Sequence, residues 1–120
     1  MLEGGQPDKP AILVLSSSGG AIENELLAGI EEEGVPCLVE RPRGDEDANT
    51  LGRLAADRSS LSVGVGIDGS GRVAVAHQKL AQSPPGLSTD GPADLRSARM
   101  LGHNAARIVV GIPLRTDDMP

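Results

Sequence analysis

The chain has 120 residues, a formal net charge of −6 and no Phe, Tyr or Trp. That length suits one domain with a real core, which has to be built from Val, Leu, Ile, Ala and Met. The acidic balance disfavours a phosphate-backbone partner, and the missing aromatics remove the stacking platforms of single-stranded nucleic-acid binders.

In chain order, residues 1–10 are rich in Gly, Pro and charge and read as a tail. Ala11 to Leu15 is a continuous apolar run, suited to a strand buried on both faces. After a loop, Ser16 to Gly20, an amphipathic helix is expected from Ala21 to Glu33, with Ile22, Leu26 and Ile30 at i, i+4, i+8. Gly34 and Pro36 stop it. Cys37 to Glu40 reads as a second strand, Arg41 to Asp47 as a charged loop, and Ala48 to Asp57 as a helix with Leu51, Leu54 and Ala55 on one side. Leu61 to Ile67 and Arg72 to His77 flank Asp68-Gly-Ser-Gly71, a hairpin signal in which Asp-Gly favours positive φ in a tight turn. Ala81 to Pro92 is a Pro- and Gly-containing loop, and a last helix runs from about Ala93 to Val110, ended by Gly111 before Pro113. This order gives an α/β sandwich with a mixed sheet of four or five strands: one domain over 11–115, with residues 116–120 as a second tail.

The stretch Gly29-Ile-Glu-Glu-Glu-Gly-Val-Pro36 places three carboxylates in a final helical turn, at the negative end of the macrodipole. Such a local conflict is expected at functional sites, and a cation from outside the chain, a metal ion or a basic partner, would relieve it. At about 100° per residue, Glu25 and Glu32 share one flank of the apolar stripe with Ala21 and Ala28, small residues that let another surface come close. Glu31 points away toward water. Glu32 is therefore the best single candidate for a ligand reaching into a partner; the plain alternative is a solvated acidic face.

Other candidates read as structural. Cys37, the only cysteine, excludes an intrachain disulfide, suits the cytosol and reads as a buried thiol. His77 and His103 have no metal-ligand spacing. Ser16 to Gly20 lacks a nucleophile elbow and a P-loop, leaving a plain turn or an anion cradle at helix amides. Asp45, Glu46 and Asp47 lack a calcium-loop pattern. Nothing assembles an acid, a base and an oxyanion site, so catalysis within this chain is not expected. No signal peptide is evident, and no apolar run approaches the roughly 18 residues of a membrane span.

The acidic motif at 29–36, Ser59-Ser60 leading into Val63-Gly-Val-Gly66, and Asn104-Ala-Ala-Arg-Ile-Val-Val-Gly-Ile-Pro-Leu-Arg115 together resemble the small subunit of diol and glycerol dehydratase reactivases. The resemblance runs from about Ala11 to Arg115. The same superfamily holds the medium subunit of the adenosylcobalamin-dependent dehydratases, which is the alternative; it is usually longer at its N-terminus.

The resemblance implies a three-layer α/β/α sandwich similar to anticodon-binding domains, and a non-catalytic helper. A large ATPase subunit is the implied partner, and a cobalamin-dependent dehydratase is the implied client, from which damaged cobalamin is released by subunit exchange. It further implies a hetero-oligomer without nucleic acid or membrane, in the open cytosol or in a microcompartment. The chain alone is expected to hold no cofactor. Glu32 matches the family position that helps bind a divalent metal, Mg²⁺, at the interface with the large subunit. Glu25, Glu31, Glu32 and Arg107 are the expected interface residues, although Arg107 could instead serve its own helix end.

Overall fold

The computed structural model describes residues 10–17, 19–80 and 86–116. Seven elements follow in the order β1 (Ile12–Ser16), α1 (Ala21–Glu32), β2 (Cys37–Glu40), α2 (Ala48–Arg58), β3 (Val63–Ile67), β4 (Val73–His77) and α3 (Leu95–Val110). One sheet has the order β2-β1-β3-β4, parallel at β1–β2 and β1–β3 and antiparallel at β3–β4. The mixed four-stranded form of the expected sheet is the one found. Of the two expected tails, residues 1–9 and 117–120 lie outside the described residues.

The alternation of β1 separates two cores. Ile12 and Val14 join Leu26 and Ile30 of α1 and Leu101 and Ala105 of α3 on one face, while Leu13 and Leu15 meet Leu51 and Ala55 of α2 on the other. The result is three layers, helix pair, sheet and helix, with both faces of β1 buried as its apolar run requires.

Glycine sets how close the layers come. On β3, Val63, Val65 and Ile67 enter the α1–α3 core, while Gly64 and Gly66 turn to α2. A Cβ at Gly66 would lie 2.2 Å from the Ala48 carbonyl oxygen, and one at Gly64 2.1 Å from the Ala56 nitrogen. The second motif of the sequence is thus a packing device. Its Ser59 Oγ donates to the Ala11 carbonyl at 2.7 Å, and the Ala11 amide donates to Ser60 Oγ at 3.1 Å, tying the entry of β1 to the end of α2.

Three local expectations are corrected. Leu54 is exposed, because α2 turns Leu51, Gly52, Ala55 and Ala56 to the sheet instead. The positive φ of the hairpin falls on Gly71, at 93°, and not on Gly69, because Asp68 caps the turn by accepting from the Ser70 and Arg72 amides. The last helix begins at Leu95, one residue after Asp94, whose carboxylate accepts from the Ser97 amide at 2.7 Å as an N-cap. Within the loop expected over 81–92, residues 81–85 lie outside the described residues; beyond them the Leu87 carbonyl accepts from the Val75 amide, and the Thr89 amide donates to the Val73 carbonyl, covering the outer edge of β4.

Candidate functional site

Helices α1 and α3 cross at Gly29 and Gly102. A Cβ on Gly29 would meet the Arg99 carbonyl oxygen at 2.2 Å, and one on Gly102 the Leu26 carbonyl oxygen at 2.0 Å. Backbones this close bring short and long side chains on the border into direct reach. Arg99, His103 and Arg107 recur at i, i+4, i+8 and form one basic stripe of α3, facing the acidic flank and last turn of α1.

The pairing along this border is dense. Arg99 donates from Nη1 to Glu25 Oε1 at 2.7 Å and from Nε to Glu32 Oε1 at 3.1 Å, and its Nη2 also meets Glu32 Oε2. His103, only 8% exposed at its side chain, places Nε2 2.8 Å from Glu32 Oε1 and Nδ1 2.7 Å from Glu33 Oε2. Arg107 donates from Nε to the same Glu33 oxygen at 2.8 Å. A neutral imidazole donates from one nitrogen only, so both carboxylate contacts of His103 are hydrogen bonds when the ring carries two protons.

These contacts act on the carboxylates as opposite charges should. The Arg99 guanidinium, with His103 behind it, holds the Glu32 carboxyl below the usual carboxylate range. Arg107, then His103, does the same for Glu33. Arg99 is in turn pushed up by Glu32 and Glu25.

The conflict at the end of α1 is thus met inside the chain by Arg99, His103 and Arg107, alongside any cation that a partner brings to Glu32. The small residue that admits a neighbouring surface is Gly29, buried on the stripe, and the surface it admits is α3. Glu31 is exposed, as its place on the wheel required. Glu32 keeps a side chain 47% exposed, so one carboxylate remains open to a partner despite its contacts. Arg107 serves its own chain: besides Glu33 it donates from Nη1 to the Pro113 carbonyl at 3.0 Å.

Sequence reasoning missed Arg99, His103 and Glu33 as one unit. The signal was present as three basic residues on one stripe of α3, matching an acidic stripe on α1. Asn104 also acquires a definite role. It is 1% exposed, accepts from the Arg115 amide at 2.6 Å and donates to the Arg115 carbonyl at 3.0 Å. Beside this border, a cavity of about 300 Å³ is lined by Glu25, Leu95, Arg96, Arg99, Met100 and Arg115.

The remaining candidates have ordinary partners. At the start of α1, the buried Glu23 carboxylate takes Arg41 in two contacts, the longer at 3.2 Å. The place at the helix amides where an anion would sit thus has a carboxylate of the chain beside it, and Ser18 of that loop lies outside the described residues. Asp47 caps α2 by accepting from the Thr50 amide, and His77 Nδ1 accepts from the Lys79 amide. Cys37 is half-buried, and burial, then Glu31, pushes its thiol up, away from the reactive thiolate. Among the described residues no three His, Cys, Asp or Glu side chains converge to hold a metal, and no helix is long and apolar enough to cross a membrane.

Comparison with known proteins gives this geometry its context. The dehydratase medium subunit family matches residues 9–115. The propanediol dehydratase-reactivating factor small subunit of Citrobacter freundii is 37% identical over 88% of this chain and 90% of its own. The diol dehydratase-reactivating factor small subunit of Klebsiella michiganensis is 34% identical over 92% of this chain and 88% of its own. Among solved structures, a glycerol dehydratase reactivase chain superposes with a TM-score of 0.80 at 34% identity, over 90% of this chain and 98% of that one. A diol dehydratase-reactivating factor complexed with ADP and Mg²⁺ superposes with a TM-score of 0.77 at 30% identity, over 91% of this chain and all of that one. The chain belongs to the dehydratase medium-subunit family, within its group of dehydratase-reactivating factor small subunits.

Proposed function

We propose that this chain is the non-catalytic half of a two-subunit reactivating factor, and that its α1–α3 border docks on a large ATPase subunit. In this reading the large subunit binds and hydrolyses ATP. The small subunit exchanges with the similar medium subunit of a diol or glycerol dehydratase, loosening that enzyme so that damaged cobalamin leaves. Residues 11–115 act as one folded unit in the exchange.

Glu32 is the residue proposed to reach a divalent cation shared with the large subunit. The observation that carries this is a carboxylate 47% exposed at a helix end, in a region where the described residues offer no three-ligand cluster. One oxygen-donor side chain fits a single position of a Mg²⁺ ion, which takes oxygen ligands and keeps waters. A cation there would bridge the two subunits. The chain's own residues do two things: Arg99 and His103 fix the carboxylate's direction before assembly, and Arg99 keeps it ionised to lower pH than an ordinary carboxyl. Glu25 and Glu31 flank it as further interface charge.

The test is binding of this chain to the large subunit across a Mg²⁺ titration with ADP present. Wild type is expected to assemble in a Mg²⁺-dependent manner, and Glu32→Ala to need much more Mg²⁺. Unchanged assembly by Glu32→Ala would remove the metal role. Capture of a cobalamin-binding dehydratase without an ATPase would point instead to a holoenzyme medium subunit.

A further inference from the structure

Seven large apolar side chains are exposed among the described residues, and three of them, Val110, Ile112 and Leu114, fall within five positions at the end of α3. They are 50%, 43% and 40% exposed. Singly exposed apolar residues are ordinary, whereas a cluster of them marks an interaction surface.

The segment that carries them is held in place. The Gly111 and Ile112 amides both donate to the Arg107 carbonyl, closing the helix on a left-handed Gly111. The Arg107 guanidinium takes the Pro113 carbonyl, and the buried amide of Asn104 takes both main-chain groups of Arg115. A buried Asn is costly unless its polar atoms are paired, and here both are spent on fixing this stretch of backbone. The chain thus uses an interior polar group to hold an apolar edge in place.

The same stretch adjoins the acidic end of α1. The Arg107 guanidinium touches Glu33 on one side and the Pro113 carbonyl on the other, so it joins the acidic end of α1 to the stretch of backbone that carries Ile112 and Leu114. A protein interface of ordinary size takes about 800 Å² from each partner, far more than one carboxylate supplies, so an interface centred on Glu32 has to spread over its neighbours. The net charge of −6 disfavours a second copy of this chain as the occupant.

We infer that Val110, Ile112 and Leu114 form the apolar contact by which this chain seats in a hydrophobic recess of the large subunit, beside the Glu32 contact. This rests on the function proposed above. Apolar burial supplies affinity independent of metal, and Glu32 supplies register and metal dependence. The buried Asn104 acts as a positioning residue for the apolar edge.

The test is interferometry of binding to the large subunit with ADP, across a Mg²⁺ series, for wild type, Glu32→Gln and the double variant Ile112→Ser/Leu114→Ser. The double variant is expected to bind at least about tenfold more weakly at every Mg²⁺ concentration, while Glu32→Gln changes the Mg²⁺ dependence. Full binding by the double variant, with Glu32→Gln still defective, overturns this inference and leaves the proposed function standing. No binding by wild type removes both. If wild type alone dimerises in sedimentation and the double variant does not, the surface belongs to a second copy and the inference falls. Hydrogen exchange of wild type is independent of any folding defect: residues 111–115 are expected to exchange more slowly in the complex, and unchanged exchange there overturns the contact.

Discussion

At the contact of α2 with the sheet and at the crossing of α1 with α3, glycines bring backbones closer than a Cβ allows, yet the two contacts are bordered by opposite chemistry. Under α2 the close approach is made by Gly52, Gly64 and Gly66 among Leu51, Ala55 and Ala56, an apolar contact with a carboxylate only at the helix start, where Asp68 accepts from the Ala48 amide. At the crossing of α1 with α3, Gly29 and Gly102 play the same steric part, but the border carries Glu25, Glu32 and Glu33 against Arg99, His103 and Arg107. Close approach gives density in both places. Only at the second does it give long side chains a fixed set of partners, and only there does a charged, partly open face result. The carboxylates are unfavourable to α1's own dipole, and the basic stripe of α3 offsets them; Arg107, in α3's last turn, is also well placed for α3 itself.

The comparison breaks first at its steric half. Gly66→Ala drives a Cβ onto the Ala48 carbonyl oxygen, the Gly52 nitrogen and the Leu51 Cβ, with strand and helix backbones on either side. It is expected to destabilise the fold by about 3 kcal/mol or more in urea unfolding, at the upper end of overpacking costs. A loss under about 1 kcal/mol would mean that α2 is free to shift off the sheet. Gly102→Ala meets a comparable obstacle, the Leu26 carbonyl oxygen, but two helices on one face can separate more readily. Alanine's better helix propensity also returns about 1 kcal/mol, leaving a net cost of about 2 kcal/mol. Parting the helices should also loosen Arg99 from Glu32, visible as a shift and broadening of the Arg99 Nε–H resonance. A costlier Gly102→Ala than Gly66→Ala would invert the comparison.

What could be read from the sequence was what short range determines. The run Ala11 to Leu15, the stop at Gly34 and Pro36, and the turn at Asp68 to Gly71 each depend on residues within a few positions, and each element was found within two positions of its expected bounds, β3 starting two residues later. The later start reflects Ser62, which takes a positive φ of 63° and breaks the strand pattern before Val63. The wheel also put Glu25 and Glu32 on one flank and sent Glu31 to solvent, both of which depend only on helical period. What could not be read was which positive charge meets that flank, because Glu32 and Arg99 are 67 positions apart and helix order around a sheet is not a local property. Leu54 was misplaced for a related reason: the apolar side of α2 is set by Gly64 and Gly66, which admit Gly52 and Ala56 and leave Leu54 outside. Asn104 and Arg107 carried a family motif, but their attachment to Arg115, Pro113 and Glu33 needed the fold.

The electrostatic half of the comparison is sharpened by pH. The Glu33 carboxyl is lowered by Arg107, then by His103, from an ordinary value of 4.5. A carboxyl whose folded pKa lies below its unfolded one stabilises the fold above the unfolded value, and that contribution is lost as pH falls through the folded value. Glu33→Gln should therefore lower Tm by a few degrees or less at neutral pH, and the gap to wild type should close as pH drops below about 4.5. Gly66→Ala removes no titrating group, and Asp47 and Asp68, which accept from the Thr50 and Ala48 amides at the start of α2, both have carboxyls held below the ordinary 3.8, so its gap should persist at least down to that pH. Thermal melts of the three proteins against pH test both halves together: a Glu33→Gln deficit that stays constant into acid would show that Arg107 and His103 hold α1 by packing, and the two glycine contacts would then differ less than their side chains suggest.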